Sequence, residues 1–303
     1  MIIRNAIAND IPGIVALLKI SLGESLMPKS ESFWNWKHND NPFGPSPVLV
    51  ALENDEIIGL RAFMRWEWRI NDTIMKAVRA VDTATHPNHQ GKGIFKKLTL
   101  AVVDECRSEG VHFIFNTPNA QSMPGYVKMG WMKLGKMRVQ VSPVFPLGSS
   151  ADFSCHLHEI NNHVAETIIN KCRTPFLMQT NYSSKYLQWR YGRNPNATYR
   201  ALVLEGAYLI IFRIKTGRVR EFRVTDFFCV PEAEREAASR LQNLARKVHS
   251  SVVTMASQSN PFFIHPSLKI GPQVTVRNLN LSNFQNDINF THWRPSLGDL
   301  ELF

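Results

Sequence analysis

The hydrophobic and polar positions of the chain change period several times, and each change marks an element. At the N-terminus Ile2 and Ile3 are extended in type. Ile11, Ile14, Leu17 and Leu18 then recur at helical spacing behind Asn9 and Asp10, either of which can cap a helix. Beyond the loop NPFGPSP, the runs VLVALE and IIGLRAFMRWEWRI predict two strands of a meander that turns at Asn54-Asp55, and KAVRAVDTAT predicts a third. IFKKLTLAVVDECRSEG reads as an amphipathic helix with Ile94, Leu98, Ala101, Val102 and Cys106 along one side and a stop at Gly110. VHFIFNT is a short apolar strand, SMPGYVKMG begins a helical turn, and MKLGKMRVQV closes the series with one further strand. These elements make a mixed α/β domain of about 145 residues, a size that supports one core. A second domain of similar length follows, with boundaries expected at 1–143 and 144–303.

The second half repeats features of the first. FWNWKHNDNP and YLQWRYGRNP place Trp36 and Trp189 153 positions apart, and Asn41 and Asn194 at the same interval. VDTATHP and VTDFFCVP place Asp82 and Asp226 144 apart, each five residues before a proline. Asn119, Lys128 and Gly130 match Asn260, Lys269 and Gly271 at an interval of 141. The interval shrinks in steps, as it does when one copy has shorter loops. Positions present twice are scaffold; positions present once are candidates for chemistry. Where the first half has HQGKGIFKKL the second has PEAEREAASRL, without glycine, and where the first has Tyr126 the second has Ser267.

Composition narrows the classes. With 44% hydrophobic and 20% charged residues the chain is of ordinary globular type. The apolar stretches of the N-terminus are broken by Asn9, Asp10 and Lys19, so neither a secretory signal nor a membrane span is read there, and a cytoplasmic location is expected. Four scattered cysteines, without a close pair, argue against a zinc site and fit free thiols. His86, His89 and His112 lack ligand-like spacing, and no metal is expected. The net charge of +10 points to anionic partners. Basic residues come in ones and twos without a long basic run, so a nucleic-acid groove stays open but unsupported, and the phosphates of a small molecule explain the charge as well.

The stretch HPNHQGKGIFKKL, His86 to Leu98, supplies a place for them. A strand that runs into a glycine-bearing loop opening a helix directs several backbone N–H groups and the positive helix end at one point, which suits pyrophosphate. The Walker pattern fails here, because the upstream glycine and the following hydroxyl are missing, and the dinucleotide fingerprint fails because position 96 is Lys.

The loop resembles instead that of the GCN5-related N-acetyltransferases (the GNAT superfamily), whose acetyl-CoA loop has Gln or Arg, two residues, Gly, one residue, then Gly or Ala. Gln90 and Gly93 match, and Phe95 stands where a small residue is usual. His86-Pro87, the opening IRNAIANDIPGIVALL, and Asn119, Tyr126, Gly130 and Trp131 in NAQSMPGYVKMGW also resemble the family, so that the likeness covers residues 1 to about 140. It implies two GNAT-like domains, each a mixed, mostly antiparallel sheet flanked by helices, the second degenerate. It implies further that Gln90, Gly91, Lys92, Gly93 and Ile94 hold the pyrophosphate of acetyl-CoA, that the strand Val81 to Thr85, including Val81 and Thr83, pairs with the pantetheine arm, that Asn119 belongs to the same site, and that Tyr126 protonates the departing thiolate. A phenol is a competent donor for that task. The bulk of Phe95 is expected to point away from the phosphates, into the sheet.

Attack on a thioester needs a neutral amine and hence a base; Asp82 is the first candidate and Glu67 the second. The aromatic run Phe33, Trp34 and Trp36 is expected in the core, because Tyr186 and Trp189 repeat it. The function expected is transfer of an acetyl group from acetyl-CoA to a primary amine of a small molecule such as an amino sugar or amino acid, by direct attack in a ternary complex. Two alternatives stand beside it: a silent CoA-binding or regulatory module, and a relative of the tRNA-dependent aminoacyl transferases.

Overall fold

The computed structural model describes residues 1–23, 28–144, 154–256 and 267–300. In chain order the strands are β1 (Ile2–Asn5), β2 (Val48–Glu53), β3 (Glu56–Ile70), β4 (Thr73–Thr85), β5 (Phe113–Asn116), β6 (Met132–Lys136), β7 (Val139–Pro143), β8 (Ser154–His156), β9 (Gln179–Thr180), β10 (Arg200–Leu204), β11 (Tyr208–Thr216), β12 (Arg220–Cys229), β13 (Val252–Ala256), β14 (Ser267–Leu268) and β15 (Gln273–Asn278). The helices that matter here are α1 (Ile11–Leu22), α2 (Glu31–His38), α3 (Ile94–Ser108), α4 (Met123–Lys128), α5 (Asn162–Lys171), α6 (Ser184–Leu187) and α7 (Glu234–Lys247).

The described residues form two compact units, the first within 1–135 and 273–289, the second within 136–272 and 290–300. This differs from a single cut at residue 143. MKLGKMRVQV, expected to be one strand, is two: β6 stays in the first sheet and β7 belongs to the second. The first sheet runs β1-β2-β3-β4-β5-β15-β6, the second β8-β10-β11-β12-β13-β7-β14. β15 therefore holds the place in the first sheet that β7 holds in the second, a reciprocal exchange of strands.

Both sheets are mixed and mostly antiparallel, and each contains a parallel pair, β4 with β5 and β12 with β13. Alternation along the strands sends side chains to opposite faces. In the first unit Leu49 and Ala51 join a cluster with Ile94, Leu98 and Val102 of α3, whereas Val50 lies with Ile14, Leu17 and Leu18 of α1 and Trp34 of α2. Helices thus cover the sheet on both sides, and Phe33, Trp34 and Trp36 are buried core residues. In the second unit α7 covers β11 and β12 through Ala237, Leu241 and Leu244.

The repetition extends to single hydrogen bonds. Ser30 caps α2 by accepting from Phe33 N at 3.1 Å, and Ser183, 153 positions on, caps α6 by accepting from Tyr186 N at 3.1 Å. Asn41 Oδ1 accepts from Phe43 N, and Asn194 Oδ1 accepts from Asn196 N. The parallel pairs begin alike, Ala77, Val78 and Arg79 on β4 answering to Glu221, Phe222 and Arg223 on β12. Both sheets carry a β-bulge at the repeated aspartate: Val81 and Asp82 sit opposite Ala62 alone, and Thr225 is extra beside the pair Ile211 and Asp226. Asn260, the partner of Asn119 in the repeat, lies outside the described residues.

Candidate functional site

The pairing of β4 with β5 ends at Arg79 and Phe115, although β4 runs on to Thr85. Beyond the bulge the two strands part. One edge of Val81–Thr85 is left without a neighbouring strand among the described residues, a row of backbone donors and acceptors of the kind that takes up an extended partner. Val81 turns its carbonyl to Arg61 Nη1 at 3.3 Å, and Thr83 is half-buried with its hydroxyl 3.5 Å from Leu60 O.

At the end of β4 the chain makes a short turn, Pro87–His89, and enters α3 through Gln90, Gly91, Lys92 and Gly93. Gly91 and Gly93 have φ of 77° and 75°, the left-handed region that glycine alone enters without penalty, and a Cβ built on either meets no atom within 4 Å. The glycines are there for backbone shape and open space. Lys97 N, bonded to Gly93 O at 3.0 Å, makes the first helical hydrogen bond, so the amides before it have no acceptor within the helix. Lys92, Lys96 and Lys97 are exposed around this end and add positive charge to that of the helix dipole. Ile94 points inward, 2% exposed, and rests on Gly59 of β3, where an added Cβ would come within 2.5 Å of it. That close approach ties the loop to the sheet.

Phe95 is half-buried and leans away from the loop: its ring lies edge-on to Tyr126 at 5.6 Å, and Gly125 makes room for it, since a Cβ there would lie 3.1 Å from the Phe95 ring. Tyr126 is buried on α4, between Phe95 and Trp131, whose ring centroid is 5.1 Å away. Its hydroxyl accepts a hydrogen bond from Arg61 Nη2 at 2.7 Å. Asn119 is exposed and holds the start of the turn into α4, its Oδ1 accepting from Ser122 N at 2.9 Å.

Asp82 belongs to a different arrangement. Its carboxylate lies 2.8 Å from Lys37 Nζ and 2.8 Å from His38 Nε2, both side chains of α2 and almost wholly buried, while His38 Nδ1 is 2.9 Å from Ser46 Oγ. Burial opposes ionisation of Asp82, yet the Lys37 ammonium and the bond with His38 outweigh it and hold the carboxyl far below the usual carboxylate range. Burial lowers Lys37 and His38 as well, with Asp82 working against it. A carboxylate held in this way is a poor proton acceptor near neutral pH. It also engages α2, whose Trp34 lies in the α1 cluster, whereas Tyr126 lies in the α3 cluster on the other face.

The second unit explains why. Lys37 and His38 recur as Arg190 and Tyr191 at the interval of 153, and Tyr191 Oη donates to Asp226. The second position after the repeated tryptophan, His38 or Tyr191, bonds the repeated aspartate in both halves, which marks a scaffold device. The signal was present in the sequence, in the residues directly after Trp36 and Trp189. Glu67 is also apart from the loop: six residues beyond Arg61 on β3, it lies about 20 Å away along the strand and stands opposite Lys76. Sequence reasoning passed over Arg61, whose only signal was a charged residue inside an apolar run.

Among the described residues no helix is long and apolar enough to cross a membrane, and no group of three or more His, Cys, Asp or Glu is placed to hold a metal ion.

A helix N-terminus with a glycine loop at the mouth of two parting strands, one of them bulged, defines the first unit as an α+β fold of the acetyltransferase type. Residues 2–134 match the family model of the acetyltransferase (GNAT) domain, and this segment belongs to that family. It is 32% identical over 94 residues to the L-amino acid N-acyltransferase MnaT of Escherichia coli, a match covering 30% of this chain and 53% of that protein. The chain thus spans about half the length of the relatives it matches in sequence. Over both units the fold is that of a solved protein from Enterococcus faecalis described as a probable N-acyltransferase (TM-score 0.71, 9% identity, 93% of this chain and 74% of that one). A GCN5-related N-acetyltransferase from Anabaena variabilis is similar (TM-score 0.68, 14% identity, 92% and 73%).

Proposed function

We propose that the first unit transfers an acyl group, acetyl in the first instance, from acetyl-CoA to the primary amine of a small molecule, with amino acids the preferred acceptors. The observation that carries this is the uncrowded N-terminal end of α3, with Gly91 and Gly93 at positive φ, beside the open edge of β4. The residues present fit the group: a pyrophosphate needs several amides and space, and a side chain at either glycine would occupy that space. Acetyl-CoA supplies a thioester whose carbonyl carbon is open to an amine.

The chain's own residues then have distinct tasks. The amides from Gln90 to Ile94 bind the pyrophosphate, with Lys92 and Lys96 adding charge at its rim. The free edge from Val81 to Thr85 takes the amide groups of the pantetheine arm as a strand would. Tyr126 gives its hydroxyl proton to the departing sulfur. Asn119 serves by holding the turn that presents Tyr126. Asp82 keeps β4 in its bulged form through Lys37 and His38, and neither it nor Glu67 takes the role of base; loss of the amine proton to water suffices. Amino acids are preferred because the sequence relative is named for them.

Calorimetric titration with acetyl-CoA tests the reading. Wild type is expected to bind in the micromolar range, and a Gly91→Asp/Gly93→Asp variant, which sets carboxylates where the pyrophosphate belongs, is expected to lose binding while remaining folded. Thiol release with a panel of L-amino acids and amino sugars then identifies the acceptor. A folded wild type that does not bind acetyl-CoA refutes the proposal.

A further inference from the structure

We infer that Arg61 is the counter-ion of Tyr126, a positioning residue that neutralises the tyrosinate formed when Tyr126 gives up its proton; this rests on the acyl-transfer reading above. Arg61 is 0% exposed, and among the described residues no carboxylate pairs with it. Its hydrogen bonds go to Val81 O at 3.3 Å and Tyr126 Oη at 2.7 Å, and its Nε is buried without a partner. The guanidinium lies against the rings of Phe63, Tyr126 and Phe95 at 4.7, 5.4 and 5.7 Å. Aromatic faces compensate a buried cation only in part, and a buried charge without an anion is costly. A protein that keeps one has a use for it.

The hydrogen bond states the use. Arg61 only donates, so Tyr126 oxygen accepts, and the phenol's own hydrogen is left to point elsewhere. When the acceptor nitrogen bonds to the acyl carbon, the C–S bond breaks and its electron pair passes to sulfur, which takes the Tyr126 proton. The phenol oxygen becomes the anion that Arg61 lacked, already 2.7 Å from Nη2. The proton shed by the new amide nitrogen returns through water to Tyr126, and the cycle closes. The duplication supports the assignment. The register position of Arg61 opposite Thr83 is held in the second unit by Ile210 opposite Phe227. The arginine is absent from the half that lacks the glycine loop, whereas the aspartate, the tryptophan and the caps are kept in both.

The test uses the full chain with tyrosine labelled at the ring carbon bearing oxygen, the Tyr126 resonance being identified by its loss in Tyr126→Phe. Arg61→Met is expected to move that resonance, with or without turnover, and to lower kcat by about 10- to 100-fold, the value of a charge-assisted hydrogen bond. The Kd for acetyl-CoA should change by less than about two-fold, since uniform binding is untouched. Arg61→Lys is expected to recover part of kcat. In the Tyr126→Phe background Arg61→Met should cost little more, because the two act as a unit. Should Arg61→Met fail to fold, Arg61→Gln keeps a donor, removes the charge and should give the same kcat loss. An unchanged resonance, unchanged kcat in the neutral variants, or equal losses in both backgrounds overturns the inference. A wild type that binds acetyl-CoA but releases no thiol with any amine overturns the acyl-transfer reading and this role with it; turnover indifferent to Arg61 overturns the role alone.

Discussion

Replacing Asp82 by Asn separates a scaffold aspartate from a catalytic one. The substitution leaves the Lys37 ammonium, 3% exposed, without its carboxylate at 2.8 Å and weakens the partner of His38 Nε2. Breaking a buried pair by removing one member costs about 3–5 kcal/mol. Asp82 is itself 18% exposed, so water partly screens the pair and the lower end, about 3 kcal/mol, is expected. Against a typical stability of about 5–15 kcal/mol this lowers the urea midpoint by about 1–2 M. Lys37→Met/Asp82→Asn, which leaves no charge unpaired, should recover most of the loss. The pH dependence carries the same signature. Because the folded carboxyl is held below its unfolded value, its contribution is present above about pH 4 and is lost as pH falls further. Urea denaturation of the three proteins at pH 7, repeated for wild type from pH 5 to pH 3, gives every quantity. If Asp82→Asn unfolds at the wild-type midpoint while turnover falls by about 100-fold, the reasoning is refuted and Asp82 is the base after all.

Two further outcomes follow from the packing. Gly59→Ala places a Cβ 2.5 Å from Ile94 Cγ2 and 3.3 Å from Ala51 Cβ, so the first turn of α3 must lift from the sheet; a loss of about 1–3 kcal/mol in thermal unfolding should be accompanied by weaker acetyl-CoA binding in calorimetry, and unchanged values of both would show that the loop is not held from below. In the second unit Asp299 is raised to about 7, by burial and by the charge of Asp226. Its folded value lies above the unfolded one, so its contribution is complete below about pH 4 and is lost as pH rises through 7. Thermal unfolding between pH 5 and 8 should show the loss, and Asp299→Asn should flatten it.

Much of the site could be read locally. Two glycines one residue apart needed positive φ and open space, and both have them. The helix from Ile94 and the turn before Tyr126 followed from period and from proline and asparagine chemistry. The repeat proved informative at the level of caps and bulges. What escaped were pairings over distance: Asp82 with α2 across 44 residues and Arg61 with Tyr126 across 65. No local period encodes which charged side chain of an apolar strand turns inward, so Arg61 passed unremarked while Glu67, on the same strand, stood as the second candidate base.

The order of strands, the caps, the glycine conformations and the amphipathic face of α3 are properties of short segments, and backbone sterics and burial period are enough to determine them. The exchange of β7 and β15 between sheets is not of that kind, since every strand edge offers the same donors and acceptors and only the assembled sheet selects among them. Nor is the contrast between the two repeated aspartates. Asp82 meets an ammonium and is held ionised; Asp226 is pushed up by its burial, which the hydroxyl bonds from Tyr191 and Tyr182 only partly offset. One residue type at one place in a repeated fold acquires opposite chemistry, because ionisation depends on whether folding supplies enough charge and hydrogen bonding within a few ångströms to outweigh burial.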